Sequence, residues 1–488
     1  MIGEQKVDET QNQNVIKSSE SSAKSRKSSS TSLPSTAPTY SGTPTTSKSS
    51  SSTSSRAKSA SSSSSSSSSG SYKIHKIEAT KARSRNFIFG AIGHEGSLLG
   101  EDELKNVLPR GIVSVHLVTW NMGNRSGPDN WNEILLPSGN DYLAEIYAIG
   151  TQETPSTSFS SNGSNGNRDL TVNLQSTLGP SHVLLHSVSL GVLSLFIFIR
   201  RELIWYVSIP EDCVFNSRPK ATNMVKTKGA LAISFTLFGT SMLFLNCHLP
   251  AHANRNQDRL DDYVKICRSI DLPRNLRPLK PSYQSTDVTS RFDVVFWFGD
   301  LNFRIEQKYT DALRMLTKAS LTSFELLLNE DQLRKALNKG DIFHGFNEAS
   351  TIDFAPTYKY RIGSDGFDLL SERVPSYTDR ILYRSKRKDQ VDCLTYDCVT
   401  SIKTSDHRPV YALMEIKVKP GRDDAPLNAG LFNREIYLEG LKKRGSEHPI
   451  VEHYRQSVDE PDDKPVDDDS DKYDSLIKDI PSAVCLLM

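Results

Sequence analysis

The stretch Phe-Asp-Val-Val-Phe-Trp-Phe, residues 292–298, constrains the fold of this chain more than any other. It is almost wholly apolar, of strand length, and runs straight into Gly299-Asp300-Leu301-Asn302. Such a run marks a strand buried on both faces. Shorter or comparable apolar runs, each followed by polar or turn residues, recur at Val113–Trp120, Glu145–Ile149, Val183–Val188, Leu193–Ile199, Ala230–Phe238, Ser241–Asn246, Ile381–Tyr383 and Val410–Val418. Gly239-Thr240 reads as a hairpin turn, and helical patterns lie at Asp258–Arg268 and Phe324–Asn338. Strands and helices mixed over 107–420 predict one α/β domain with a large sheeted core.

The flanks have a different texture. Residues 1–75 are dominated by Ser and Thr, with an unbroken serine run from Ser61 to Ser69. A segment so poor in apolar residues cannot offset its ordering entropy, so a disordered tail is expected, joined through a linker at 76–106. A C-terminal extension at 421–455 has helix-like spacing (Phe432 with Ile436, Tyr437 with Leu441), and 456–488 is an acidic, disordered tail. Lys+Arg 59 against Asp+Glu 58 gives no global attraction to nucleic acid or acidic lipid, so phosphate recognition needs a local basic cluster. The six cysteines, Cys213, Cys247, Cys267, Cys393, Cys398 and Cys485, form no CxxC pair and suit neither zinc nor a disulfide framework. With no apolar N-terminal leader and no run long enough to span a bilayer, the expectation is an intracellular, soluble chain, monomeric and without nucleic-acid partners.

Polar residues close the apolar runs, where α/β folds place their sites. Asn121, Gln152-Glu153, Asn246-Cys247-His248, Asp300 with Asn302, and Ser405-Asp406-His407 all stand at strand ends. Any one of them reads more readily as a cap, a turn or a satisfied structural histidine. Together they offer hard oxygen ligands suited to Mg²⁺ (Glu153, Asp406, Asn121), a base and a neutral donor two residues apart (Asp300, Asn302), and imidazole donors for phosphate oxygens (His248, His407).

This arrangement resembles the metal-dependent phosphoesterases that include deoxyribonuclease I and exonuclease III, whose fold is a four-layer α/β sandwich. Within them it is similar to the inositol polyphosphate 5-phosphatases. The carrying segments are Phe296–Ile305 (FWFGDLNFRI) and Pro375–Leu382 (PSYTDRIL), with TWN at 119–121, QE at 152–153, KGAL at 228–231, PTYKY at 356–360 and SDHRPV at 405–410. The wording PSYTDR, GSLLGEDEL at 96–104, FNREIYLEGLKKR at 432–444 and a terminal prenylation box resemble the family's type IV, prenylated branch. The resemblance implies hydrolysis of the 5-phosphate of membrane phosphoinositides: the 4,5-bisphosphate, the 3,4,5-trisphosphate or the 3,5-bisphosphate. It implies Mg²⁺ on Glu153 with Asn121 and Asp406 close by, and Asp300 orienting or deprotonating the attacking water. Asn302 and an imidazolium at His407 would donate to the phosphorane oxygens, Asp379 would orient His407, and His248 would contact the scissile phosphate. Lys228, Tyr358, Lys359 and Arg373 correspond to positions contacting ring phosphates. Many relatives carry a lysine two residues before the position of Arg373, where this chain has Ser371.

Cys485-Leu-Leu-Met488 fits the C-a-a-X pattern, and terminal Met favours farnesyl. One lipid chain gives marginal binding, and the upstream stretch is acidic rather than polybasic, so weak, exchangeable anchoring is expected. The small residues before Cys485 would suit capture by a soluble prenyl-binding carrier, and by resemblance the chain would reach primary cilium and Golgi membranes. Two other readings fit parts of the sequence: an endonuclease or sphingomyelinase of the same superfamily, and a silent scaffold recruiting partners through its tails.

Overall fold

A computed structural model describes residues 98–446 apart from 129, 138–142, 156–165, 218–226, 276–283, 318–319 and 423–425. The disorder expected of both tails, the prenylation box and the acidic segment lie outside the described residues.

Helix α1 (Glu101–Val107) leads into strand β1 (Ile112–Asn121), followed by the short helix α2 (Asn132–Leu135) and β2 (Ile146–Gln152). Helix α3 (Gly166–Leu178) precedes β3 (His182–Leu190), β4 (Leu193–Arg200), β5 (Glu211–Asn216), β6 (Gly229–Leu237) and β7 (Thr240–His248). Helix α4 (Asn256–Ser269) leads to β8 (Val294–Asp300), then to α5 (Tyr309–Leu316), α6 (Leu321–Leu328) and α7 (Gln332–Lys339). The chain continues through β9 (Asn347–Glu348), β10 (Asp379–Ser385), β11 (Val391–Cys398), β12 (Val410–Lys417) and α8 (Arg434–Ser446).

These strands form two six-stranded sheets, ordered β11-β12-β1-β2-β4-β3 and β5-β6-β7-β8-β10-β9. Each has one parallel pair at its centre, β1 with β2 and β7 with β8, and antiparallel pairing elsewhere. The period-2 alternation of side chains sorts each central strand between two cores. Val294, Phe296 and Phe298 of β8 face the layer between the sheets, with Val115 and Leu117 of β1. Val295 and Trp297 face outward against Tyr263 and Ile266 of α4 and Leu333 and Ala336 of α7. On the far side, Val118, Trp120, Tyr147 and Phe198 pack against Leu170, Leu174 and Leu178 of α3 and Ile436 of α8. The result is the expected four-layer helix–sheet–sheet–helix sandwich. Buried positions 259, 262, 263, 266 and 267 of α4 follow the spacing of one helical face. No helix among the described residues is long and apolar enough to cross a membrane.

Several boundaries differ from the sequence reading. The hairpin turn is Phe238-Gly239, since Leu237 pairs with Thr240. The helical pattern over Phe324–Asn338 is two helices, interrupted where Asp331 accepts from the Arg334 amide as the cap of α7. Strands β5 and β11 escaped notice because they lie at sheet edges, where alternate residues face solvent and the apolar run is lost. Leu98 and Leu99, expected within a linker, are buried in the central core.

Helix α8 packs on α3 so closely that a Cβ on Gly440 would lie 2.4 Å from Gln175 Cγ. Alanine gains about 1 kcal/mol over glycine in a helix. Here overpacking, typically about 1–3 kcal/mol, outweighs that gain. Gly440→Ala is therefore expected to lower the thermal midpoint, and an unchanged or raised midpoint would show that Gln175 yields freely.

Candidate active site

The carboxyl ends of the two parallel pairs meet at one edge of the sandwich. In the first sheet Asn121 is in register with Gln152, so β1 and β2 end together and deliver Asn121 and Glu153. In the second, Gly229, His248, Asp300 and Asp379 stand in one row across β6, β7, β8 and β10. Lys228 immediately precedes that row. The sheets are tied across the interface: Asn121 Nδ2 donates to Asp300 Oδ2 at 3.0 Å, and Gln152 Nε2 donates to Asn246 Oδ1 at 2.7 Å. Gly150 leaves the room, because a Cβ there would lie 2.6 Å from Asn246 Cγ.

Asp300 is buried at the centre. His248 Nε2 lies 3.2 Å from its Oδ2, and the Asn302 amide donates to its Oδ1 at 3.1 Å. Burial would raise its pKa. The hydrogen bond with His248 and the charges of His407 and Lys228 outweigh burial and hold the carboxyl below the usual carboxylate range. His248 moves the other way: burial and the Lys228 ammonium lower its pKa against the pull of Asp300 and Glu153. Lys228 Nζ is in direct contact with His248 Nε2.

A second pair sits beside the first. His407 Nδ1 is 2.9 Å from Asp379 Oδ2, which also accepts from Thr357 Oγ1 at 2.7 Å and Thr378 Oγ1 at 2.9 Å. Burial alone would lower the His407 pKa. The Asp379 carboxylate, by charge and hydrogen bond, reverses this and pushes it up to about 10. The ring is therefore an imidazolium at neutral pH. Tyr358 covers it with ring centroids 4.4 Å apart.

The expected metal ligands Glu153 and Asp406 stand beside this centre. Both border the turn after β1: Asn124 N donates to the Glu153 carbonyl at 2.7 Å, Glu153 Oε1 lies 3.8 Å from His248 Nε2, and a Cβ on Gly123 would lie 3.3 Å from Asp406 Oδ1. Glu153 and Asn302 both adopt left-handed backbone, with φ of 51° and 57°. Such strain in non-glycine residues concentrates at functional sites. Two carboxylates and the Asn121 amide make a hard, all-oxygen donor set that fits a divalent cation. Asp300, Asp379 and His407 also bring ligand atoms within 4.8 Å of one another. There Asp379 Oδ2 already accepts from three donors, which makes that pair an orienting one.

The substrate-binding residues of the sequence reading divide. Tyr358 is buried, its hydroxyl in contact with an Arg373 guanidinium nitrogen. Lys359 Nζ lies 2.6 Å from Asp368 Oδ2, so an incoming phosphate must compete with that carboxylate. Arg304 and His252 had escaped notice. Arg304 contacts Asn302 Oδ1, lies 4.5 Å from the Tyr358 ring centroid, and lines with His252 and Arg373 a cavity of about 250 Å³. Its place within FWFGDLNFRI was the one available signal. Arg380, in the second signature, is structural: it bonds Asp331 at 2.8 Å and Glu348 at 2.9 Å inside the fold. Cys485 lies outside the described residues.

Residues 118–413 match the model of the endonuclease/exonuclease/phosphatase family 2. The Homo sapiens phosphatidylinositol polyphosphate 5-phosphatase type IV is 44% identical over 371 residues, covering 75% of this chain; the chain spans 56% of that relative's length. The Arabidopsis thaliana type IV inositol polyphosphate 5-phosphatase 11 is 30% identical over 308 residues, covering 62% of this chain and 83% of that protein. Among solved structures, the inositol polyphosphate 5-phosphatase domain of SPsynaptojanin, in complex with inositol (1,4)-bisphosphate and calcium ion, superposes with a TM-score of 0.54. It is 26% identical and covers 73% of this chain and 97% of that domain.

Proposed function

This chain belongs to the endonuclease/exonuclease/phosphatase family and, within it, to the inositol polyphosphate 5-phosphatases, and from that premise we propose that it hydrolyses the 5-phosphate of membrane phosphoinositides, using Mg²⁺. The observation carrying the proposal is the in-register row His248–Asp300–Asp379 with His407 locked onto Asp379. It sets an anionic water-binding group beside a donor that is charged at neutral pH, the two functions that in-line attack on a phosphate ester requires.

Asp300, held anionic, accepts a hydrogen bond from the attacking water and aims it at phosphorus. Its depressed pKa makes it a poor proton acceptor, so orientation is its main role; one water proton stays on the released hydrogen phosphate and the other reaches, through solvent, the ring oxygen freed as its bond to phosphorus breaks. The His407 imidazolium donates from Nε2 to oxygens that gain charge in the transition state. Asn302, its Oδ1 turned to Arg304 and one Nδ2 hydrogen donated to the Leu249 carbonyl at 3.2 Å, keeps its second Nδ2 hydrogen for the same oxygens. Lys228, just before β6, and His248, at the end of β7, would face the phosphate. When bound to Glu153, Asp406 and Asn121, Mg²⁺ would neutralise charge on a phosphate oxygen. Arg304 and Arg373 supply cations for a second ring phosphate, which the 4,5-bisphosphate, the 3,4,5-trisphosphate and the 3,5-bisphosphate all carry. The SPsynaptojanin complex with inositol (1,4)-bisphosphate supports a substrate bearing more than one phosphate.

A farnesyl group on Cys485, delivery by a prenyl-binding carrier, and residence at primary cilium and Golgi membranes complete the proposal, supported by the C-terminal C-a-a-X pattern and by FNREIYL at 432–438. Ile436 and Tyr437 of that segment are buried, leaving Arg434, Glu435 and Leu438 for a receptor to read. Unchanged localisation of Cys485→Ser would contradict the anchor.

Phosphate release from vesicles containing the 4,5-bisphosphate or 3,4,5-trisphosphate tests the activity, with Mg²⁺ and with a chelator. Release that disappears with the chelator and returns on adding Mg²⁺ is expected. Release untouched by chelation contradicts the metal, and nicking of supercoiled plasmid in place of phosphate release would indicate a nuclease.

A further inference from the structure

A braced hairpin beside the active site ends in leucines that the fold leaves in water. Tyr360 pairs with Phe367, and Asp368 N donates to the Lys359 carbonyl at 2.8 Å. Arg408 lies 3.9 Å from the Tyr360 ring centroid and donates to the Ser364 carbonyl at 2.5 Å. The backbone beyond the hairpin is held too, with Leu370 N donating to Asp368 Oδ1 at 3.1 Å and Tyr309 Oη to the Leu369 carbonyl at 3.3 Å. Yet Leu369 is 60% and Leu370 95% exposed, and Ile362, on the same hairpin, is 43% exposed.

Single exposed apolar residues need no explanation. Here position matters. The leucine pair joins Tyr358-Lys359 to Arg373, and Glu372 and Arg373 line the cavity with Arg304 and His252. We propose that Leu369 and Leu370 enter the acyl boundary of the bilayer while the headgroup of a lipid substrate occupies the adjacent cationic cavity. This rests on the reading that the substrate is a membrane phosphoinositide.

The charge of the hairpin favours a bilayer as the occupant. The hairpin's acidic groups are neutralised: Asp368 by Lys359 at 2.6 Å and Asp365 by Lys403 at 2.8 Å, with Arg361 and Arg373 adding positive charge against Glu372. An anionic membrane therefore meets no uncompensated pair of carboxylates there. The farnesyl group proposed for Cys485, a single chain without a polybasic partner, would bind only marginally, and stable residence would need a second contact. A leucine pair is a modest one, suited to an enzyme that must leave the surface again.

The test uses the full chain carrying Cys485→Ser, so that no lipid chain contributes. Its partner adds Leu369→Ser and Leu370→Ser. Cosedimentation is measured with vesicles of phosphatidylcholine, phosphatidylserine and phosphatidylinositol 4,5-bisphosphate. Hydrolysis is compared on those vesicles and on the dibutanoyl form of the same lipid, monomeric in water. Losing two inserted leucines is expected to weaken vesicle binding and vesicle hydrolysis by about tenfold or more, with dibutanoyl hydrolysis unchanged. Leu369→Phe with Leu370→Phe should retain vesicle activity. Unchanged vesicle binding, or equal losses on both substrates, would overturn the inference. Should the unsubstituted chain hydrolyse neither substrate, the proposed activity fails, and cosedimentation alone still decides whether the leucines touch the bilayer.

Discussion

Asp300→Asn is expected to lower kcat for phosphate release by about 10²–10⁴-fold, the range for a group that positions or activates a nucleophile. The substitution is nearly isosteric. It preserves the acceptor for Asn121 Nδ2 if the new amide turns its oxygen that way, and β8 remains paired with β10 through the same backbone. What disappears is the charge beside His248 and His407 and the second acceptor for water. Since Asp300 contributes to keeping the His407 ring charged, part of the loss passes through that donor. KM should change far less than kcat, because the lost interactions belong to the attacking water rather than to the ring phosphates. A loss confined to KM would mean that Asp300 binds substrate instead. A circular dichroism spectrum and thermal midpoint near those of the unsubstituted chain separate chemistry from misfolding.

Asp379→Asn carries the second large effect, through pH. His407 is fully buried, and burial disfavours its charged form; only the Asp379 carboxylate, helped by Asp300 and Asp406, lifts its pKa to about 10. A folded pKa above the unfolded value of about 6.5 gives stability that is complete below 6.5 and lost as pH rises through about 10. Activity needing the imidazolium should likewise hold across neutral pH and fall on the alkaline side. With asparagine at 379 burial wins, the alkaline limb moves toward acid, and kcat near pH 8 drops by about 10²–10³-fold, the cost of one transition-state donor. Partial recovery at lower pH is the distinguishing sign, because a merely structural role for Asp379 would reduce activity evenly across the profile.

Much of this centre was legible because its chemistry sits at strand ends. Asn121, Glu153, His248, Asp300 and His407 each follow or precede an apolar run, and the parallel pairs β1–β2 and β7–β8 bring those ends to one edge. Phe292–Phe298, apolar on both faces, announced the two-sided burial of β8. What stayed hidden depends on registers between distant segments. Nothing near Thr357 or Thr378 says that both hydroxyls converge on one Asp379 oxygen. The pairing of Lys359 with Asp368 comes from the bridge between Tyr360 and Phe367. Arg304 was inside a quoted signature, yet its place against Tyr358 depends on a bridge between Tyr358 and Ser376. Leu98 and Leu99 are too brief a run for any periodicity to show. Edge strands β5 and β11 alternate in exposure and lose the apolar signature for the same physical reason.

Identifying the product tests the central claim most directly. Vesicles of phosphatidylinositol 4,5-bisphosphate would be incubated with the full chain and Mg²⁺, and the remaining lipid resolved by headgroup chromatography against the 4-phosphate and 5-phosphate standards. The 4-phosphate is expected as the accumulating product, with inorganic phosphate released in equal amount and neither formed by Asp300→Asn at a comparable rate. Accumulation of the 5-phosphate, or cleavage on the diacylglycerol side of the phosphodiester, would contradict that claim.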